Sequence, residues 1–512
     1  MRKIKILDLY ICVKSNSTHN KVYFMLFNSL QFVVFFPIVI ILYFSLPYKY
    51  RWILLLVASY YFYMCWKVDY IVLIIISTLI DYICSNKMSK IKKKPQRKKW
   101  LLISLFTNLG ILFGFKYFNF FSENIQNIFN HYNVFYEMPF FDVLLPVGIS
   151  FYTFQTLSYT IDVYNNKTPA QKHLGIFAVY VSFFPQLVAG PIERSNHLLP
   201  QFFQKHDINY ERIKAGIQKM LWGFFKKIVI ADNLAILVDS VYNNVENYSG
   251  LALILATIFF TFQIYCDFSG YSDIAIGTAR VMGFELRENF KRPYFSKSIR
   301  EFWQRWHITL STWFRDYVYI PLGGNRTIKW KWHYNILITF LVSGLWHGAN
   351  WTFVIWGALH GTYLVTALIL SNPKKIISSF LQKQNIFLNN FLDVCITFIL
   401  VSFAWIFFRA NNIEDALYII NHLFISSNDI FNLNEISIQF RGIGVFQEDI
   451  IKCILLILIL IIYSLFERSG NVWNKLENQP KWLRWMIYYI LVFSILFVAP
   501  HSNVNNFIYF QF

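Results

Sequence analysis

The sequence predicts an all-α, polytopic membrane protein, on two observations. The first is composition: 56% of the 512 residues are hydrophobic and 20% aromatic, while only 15% are charged. An ordinary soluble domain carries about 25% charged residues. The second is pattern. Continuous apolar runs recur along the whole chain, without the alternation of a transmembrane β-barrel. No stretch between the runs is long enough to build a soluble domain.

Residues 1–24 are polar and basic with no sustained apolar core, so they do not read as a cleaved signal peptide. Met25 directly precedes the first apolar run. The expectation is therefore a short polar tail over 1–24, or a start at Met25, followed by a single transmembrane domain over 25–512. The apolar runs fall at 25–46, 52–66, 69–85, 100–117, 142–161, 174–189, 212–231, 250–268, 334–346, 350–371, 390–408, 451–466 and 484–500. A spanning helix needs about 20 residues, so the shorter runs should be re-entrant or extend beyond these limits, for roughly 11–13 membrane helices.

The loop 87–99 sets the orientation. It holds Lys87, Lys90, Lys92, Lys93, Lys94, Arg97, Lys98 and Lys99 and no acid, which places it in the cytoplasm by the positive-inside rule. The net charge of +19 gathers at the ends of apolar runs. That fits cytoplasmic loops and anionic headgroups and gives no reason to invoke nucleic acid. The polar loop 412–450, with Asn428, Asp429, Asn432, Asn434 and Glu435, is expected outside the cytoplasm. Cys12, Cys65, Cys84, Cys266, Cys395 and Cys453 are scattered without metal-ligand spacing, so no metal site is expected.

Residues 285–326 interleave aromatic and charged side chains. They are too charged to span lipid and too aromatic for water, so an interfacial or re-entrant element is expected, turning at Pro321 and Gly323-Gly324-Asn325. Within it lies His307, near Gln304, Arg305, Thr309, Ser311, Arg315 and Asp316. Asp316 could orient the imidazole, and Arg305 or Arg315 could hold an anion; an interfacial ion-pair network fits the same residues. The second histidine, His347, lies forty positions on, at the end of the 334–346 run. Gly344 and Gly348 form one small-xxx-small pair and Gly357 and Gly361 another, which lets helix backbones approach closely. Trp346, Asn350 and Trp351 flank the histidine. A neutral imidazole can accept a proton from a hydroxyl, although a histidine that merely bonds a neighbouring helix fits equally. Asp267 and Asp273, near the end of the 250–268 run, fit pairing with the basic residues of 287–305 better than a cation path.

Five blocks carry a resemblance: Phe184-Pro185-Gln186-Leu187-Val188-Ala189-Gly190-Pro191-Ile192, Asp267-Phe268-Ser269-Gly270-Tyr271-Ser272-Asp273, Phe302-Trp303-Gln304-Arg305-Trp306-His307, Trp313 to Arg326, and Gly344-Leu345-Trp346-His347-Gly348. With the aromatic end Phe507 to Phe512, they resemble the membrane-bound O-acyltransferase superfamily, closest to its bacterial alginate O-acetyltransferase branch. The resemblance runs from about Met25 to the last residue. It implies a ring of tilted helices and interfacial helices around a central tunnel. It places the family's invariant histidine on His347 and its second polar position on His307; around them Arg305, Arg315, Asp316, Trp346 and Asn350 are the candidate substrate contacts. It further implies a bacterial cytoplasmic membrane, no bound cofactor, and acetyl-CoA or an acetylated carrier as cytoplasmic acyl donor. The acceptor would be a cell-surface polysaccharide, with an extracytoplasmic acetyltransferase- or esterase-like partner. Peptidoglycan O-acetylation and teichoic-acid D-alanylation remain alternatives within the superfamily. A transporter or acyl-flipping channel is the alternative from another class, but no matching broken helices appear in two halves. A structural scaffold would tolerate substitution of both histidines.

Overall fold

The computed structural model describes residues 25–141, 145–370, 386–424, 447–500 and 507–508. The expectations for 1–24 and for Asn428 to Glu435 lie outside the described residues. The described residues contain helices and connections and no strand.

Helix α1 (Leu30–Ser45) begins where the Ser29 hydroxyl accepts the Phe32 N–H at 3.3 Å. It stops at Leu46, which the following Pro47 holds extended. Helix α2 (Tyr48–Met64) follows at once. Helices α3 (Ile71–Ser89) and α4 (Lys94–Leu112) flank the basic loop. The α4 helix runs on through a π turn at Phe113–Tyr117 into α5 (Phe118–His131), well past the expected 100–117. Next comes α6 (Ile149–Tyr164). The run 174–189 is broken into α7 (Leu174–Ser182) and the single turn α8 (Phe184–Leu187). Pro185 explains the break, because it lacks the N–H that would continue α7 and its ring crowds the preceding turn.

After the short α9 (Ser195–Leu198), α10 (Tyr210–Phe224) continues through a second π turn, Phe225–Ala231, into α11 (Asp232–Tyr242). Helix α12 (Leu251–Met282) has 32 residues and closes at Gly283, whose φ of 106° only glycine adopts readily. The aromatic and charged segment gives α13 (Ile299–Arg305), α14 (Ile308–Phe314) and a π turn at Arg315–Tyr319. The chain then forms α15 (Lys329–His347), α16 (Trp351–Ile369), α17 (Ile386–Arg409), α18 (Ile413–His422), α19 (Gln447–Glu467), α20 (Val472–Glu477) and α21 (Lys481–Phe497).

Among the described residues, six helices are long and apolar enough to cross a bilayer: Val68–Ser89, Lys94–His131, Leu251–Met282, Trp351–Ile369, Phe387–Arg409 and Gln447–Glu467. This polytopic, all-helical architecture agrees with the fold class read from the sequence. The helix number by this measure is lower than the roughly 11–13 expected from run length. Helices α1 and α2 reach only 16 and 17 residues, α15 opens on Lys329 and Lys331, and the 174–189 run is broken.

Helices α10 and α12 pack backbone to backbone. A Cβ on Gly223 would stand 2.7 Å from the Gly270 carbonyl oxygen, and one on Gly277 would stand 2.5 Å from that of Gly216. This closeness brings buried charges together. Lys227 Nζ lies 2.6 Å from Asp267 Oδ1 and 2.8 Å from Asp232 Oδ1. Lys226 Nζ lies 2.7 Å from Asp273 Oδ2, and Lys219 Nζ 3.3 Å from its other oxygen. The expected pairing of Asp267 and Asp273 with residues 287–305 is therefore corrected. Helix α12 does not end near Asp267, so both carboxylates sit inside it, facing lysines of the neighbouring helix. Lys227→Met should leave Asp232 and Asp267 buried without their cation and cost about 3–5 kcal/mol. Thermal unfolding of the detergent-purified variant reads this; an unchanged Tm would show the pair to be dispensable.

Candidate active site

The buried aromatic side chains form two cores. One contains Phe151, Phe154, Phe268, Trp313 and Trp346; the other contains Trp306, Trp356, Trp405 and Phe408. His307 and His347 sit at the seam, 0% and 3% exposed.

His307 is placed by the break between α13 and α14. Ser298 caps α13, its hydroxyl accepting the Glu301 N–H at 3.2 Å. The helix ends at Arg305, whose carbonyl accepts the Lys291 N–H at 2.9 Å. Trp306 is extended, and His307 then takes a left-handed φ of 41°. Such a conformation costs a non-glycine residue on the order of 1–3 kcal/mol and persists only where its surroundings enforce it. Asn289 does so. Its backbone oxygen accepts the Ile308 N–H at 2.9 Å, and its side-chain oxygen accepts the Thr309 hydroxyl at 2.6 Å. The imidazole meets Phe268 edge-on at 4.6 Å between ring centres and lies 6.3 Å from Phe151.

His347 is the last residue of α15, after which Gly348 is extended. Its position depends on the contact of α15 with α16. A Cβ on Gly344 would stand 2.3 Å from the Phe353 carbonyl oxygen and 3.2 Å from the Gly357 Cα; one on Gly357 would stand 2.3 Å from the Phe340 oxygen. The glycine pairs read from the sequence thus meet across this interface. The His347 ring packs edge-on against Trp346 and Trp356, each at 4.9 Å, and against Phe408 at 5.4 Å. Phe151 lies 6.3 Å from His307 and 5.9 Å from Trp346, the residue before His347.

A cavity of about 30 Å³ is lined by Lys116, Ser150, Phe151, Val188, Trp346 and His347, among others. This is room for a water-sized group. Lys116 Nζ donates to the carbonyl oxygens of Trp346 and His347 at 2.7 and 3.1 Å and lies 3.5 Å from Ser150 Oγ. The cavity is remote from the basic loop. Arg97, at the start of α4, bonds Asn166 just past the end of α6, so those ends share the loop's side. Lys116 is 22 residues beyond Lys94 along one continuous helix, roughly 33 Å at 1.5 Å per residue.

The other candidates divide. Trp346 stacks on Phe154 at 4.9 Å and forms a wall of the cavity. Asn350 caps α16, its side-chain oxygen accepting the Thr352 N–H at 3.0 Å, and donates to the Asn411 carbonyl oxygen at 3.1 Å. Arg305 pairs with Glu301 at 2.5 Å. Arg315 pairs with Asp316 at 2.8 Å, and Asp316 with Arg194 at 3.2 Å. The suggestion that Asp316 orients the His307 imidazole is corrected. They stand nine positions apart along the chain, a helical rise of about 14 Å, and the carboxylate is turned to arginines instead.

Lys116 and Ser150 were not singled out from the sequence. A signal existed, since Lys116 is the only charged residue in the run 100–117, and intramembrane charges mark function by default. His360 was also missed. It is fully buried, accepts the Trp303 indole N–H at 3.3 Å, and packs against Trp356.

Residues 98–413 match the family model described as MBOAT, membrane-bound O-acyltransferase family. The chain is 38% identical over 513 residues to the protein named "Probable alginate O-acetylase AlgI" of Pseudomonas putida, covering 95% of this chain and 100% of the relative. It is 41% identical over 399 residues to the protein of the same name from Azotobacter vinelandii, covering 77% and 76%. It is 32% identical over 539 residues to the peptidoglycan O-acetyltransferase of Helicobacter pylori, covering 96% and 98%. The matched stretch includes both histidines and Lys116, Ser150, Val188 and Trp346 of the cavity wall, and on that likeness the chain belongs to the membrane-bound O-acyltransferase family.

Proposed function

We propose that this O-acyltransferase takes an acetyl group from a thioester donor, acetyl-CoA or an acetylated carrier, and delivers it to a hydroxyl of a cell-surface polysaccharide. The observation that carries the reading is the placement of His347. It lines a cavity remote from the basic loop, and Phe151, in the same lining, lies 6.3 Å from a second buried histidine, His307. With loop 87–99 in the cytoplasm, the cavity lies toward the outer side of a bacterial cytoplasmic membrane, where a polymer acceptor would arrive. The donor would come from the cytoplasmic side. Alginate-like exopolysaccharide is the favoured acceptor, since long matches carry that name. Peptidoglycan is the second, favoured by the match along nearly the whole chain to the Helicobacter pylori protein. An extracytoplasmic esterase-like protein would complete transfer along the polymer.

In this mechanism the His347 imidazole takes the acceptor hydroxyl proton as the oxygen attacks the thioester carbonyl. The new C–O bond forms, the C–S bond breaks, and the proton leaves with the thiolate. The thioester is already activated, so the protein must supply a base and a donor to the developing oxyanion. His307 supplies the second. If hydrogen bonding is its task, His307→Asn should retain more activity than His307→Ala; equal losses would remove that assignment. Purified protein given labelled acetyl-CoA with alginate or peptidoglycan fragments tests the whole reading. Label transferred to a glycan supports it. Label that crosses a vesicle membrane without transfer makes the protein a transporter.

A further inference from the structure

We propose that Lys116 is a positioning residue whose ammonium group closes the end of α15 and thereby sets where the His347 side chain stands in the cavity. The inference rests on the reading of His347 as the base. An α-helix leaves its last carbonyls without partners inside the helix, and they carry the negative end of its dipole. In α15 the last two belong to Trp346 and His347, and Lys116 Nζ reaches both, at 2.7 and 3.1 Å. The contact spans 231 residues of sequence, so it ties α15 to a distant helix at the one residue the chemistry needs.

The lysine is delivered by the π turn Phe113–Tyr117. Such turns insert one residue into a helix and recur at functional sites. An ammonium among apolar helices is expensive to hold. A structural tie alone could be made by a neutral donor, whereas a cation also opposes the partial charge of the helix end. Ser150, at the opening of α6 and 3.5 Å from Nζ, completes the polar wall of the cavity. Removing Lys116 would leave both carbonyls without it and let the final turn of α15 swing. A misplacement of about 1 Å in a reacting group can cost 100-fold in rate.

The test uses the full chain in lipid nanodiscs, with labelled acetyl-CoA and alginate oligosaccharides as the probes. Diethyl pyrocarbonate labelling of His347, read by mass spectrometry against exposed His131 in the same protein, reports the imidazole's setting without any transfer. Lys116→Met should lower kcat by about 100-fold, leave KM for acetyl-CoA unchanged, and alter the labelling rate at His347 but not at His131. Lys116→Arg, which restores the cation, should recover much of both. Unchanged kcat in Lys116→Met, or lost kcat with unaltered His347 labelling, overturns the proposal. Should the methionine variant fail to assemble, Lys116→Gln is judged by the same two readouts. If the wild type transfers nothing to the oligosaccharide, the proposed function fails, and the labelling comparison still decides the positioning role.

Discussion

His347→Ala should abolish polysaccharide acetylation while the protein still accumulates in the membrane. Three contacts around the ring, Trp346, Trp356 and Phe408, are aromatic. They give shape and exclude water but cannot take a proton. Among the described residues that line the cavity, none replaces the imidazole as a base unless Lys116 gives up its bonds to the α15 carbonyls. General-base assistance contributes about 100- to 10,000-fold, so the variant should fall toward the limit of a radiolabel assay. Membrane level, by immunoblot, and elution as a single peak in detergent separate lost chemistry from lost protein. Full acetylation by a normally folded His347→Ala would remove the residue from the reaction.

Gly344→Val is the second large effect, and it acts through the backbone. The first added carbon already overlaps the Phe353 carbonyl oxygen and presses on the Gly357 Cα. Neither neighbour is a flexible side chain that can turn away. Helices α15 and α16 must move apart, and His347 is carried on the moving one, three residues on. Overpacking typically costs about 1–3 kcal/mol, and with backbone as the obstacle the upper end is expected. The variant should show lowered thermal stability and activity lost with it, and Gly344→Ala a smaller version of both. Wild-type Tm and wild-type turnover in Gly344→Val would mean that the two helices are not held at this distance in the membrane.

Much of the fold is legible in the sequence because lipid allows so few solutions. Apolar length gives the helices, and the interleaved segment 285–326 gives the broken elements at the centre. The glycine pairs near His347 foretell a close crossing that the structure contains. What escapes is what depends on a partner. The run at Asp267 reads as the end of a span, because a carboxylate is costly in lipid; only the lysines of the π turn Phe225–Ala231 let α12 continue to Met282. Arg305, Arg315 and Asp316 look ready for a ligand until Arg305 is seen to pair with Glu301 and Arg315 with Asp316. Lys116 lies 231 positions from the histidine it touches, and no local window can join them.

The buried lysines and aspartates of α10–α11 and α12 also bear on biogenesis. Each segment alone carries charges that oppose entry into lipid. Opposed face to face across glycines, they neutralise one another. The two should therefore leave the insertion machinery as a hairpin rather than one after the other. A ribosome-stalled chain ending before Asp267 would hold the first segment in an aqueous conduit, waiting for its counterions to be synthesised.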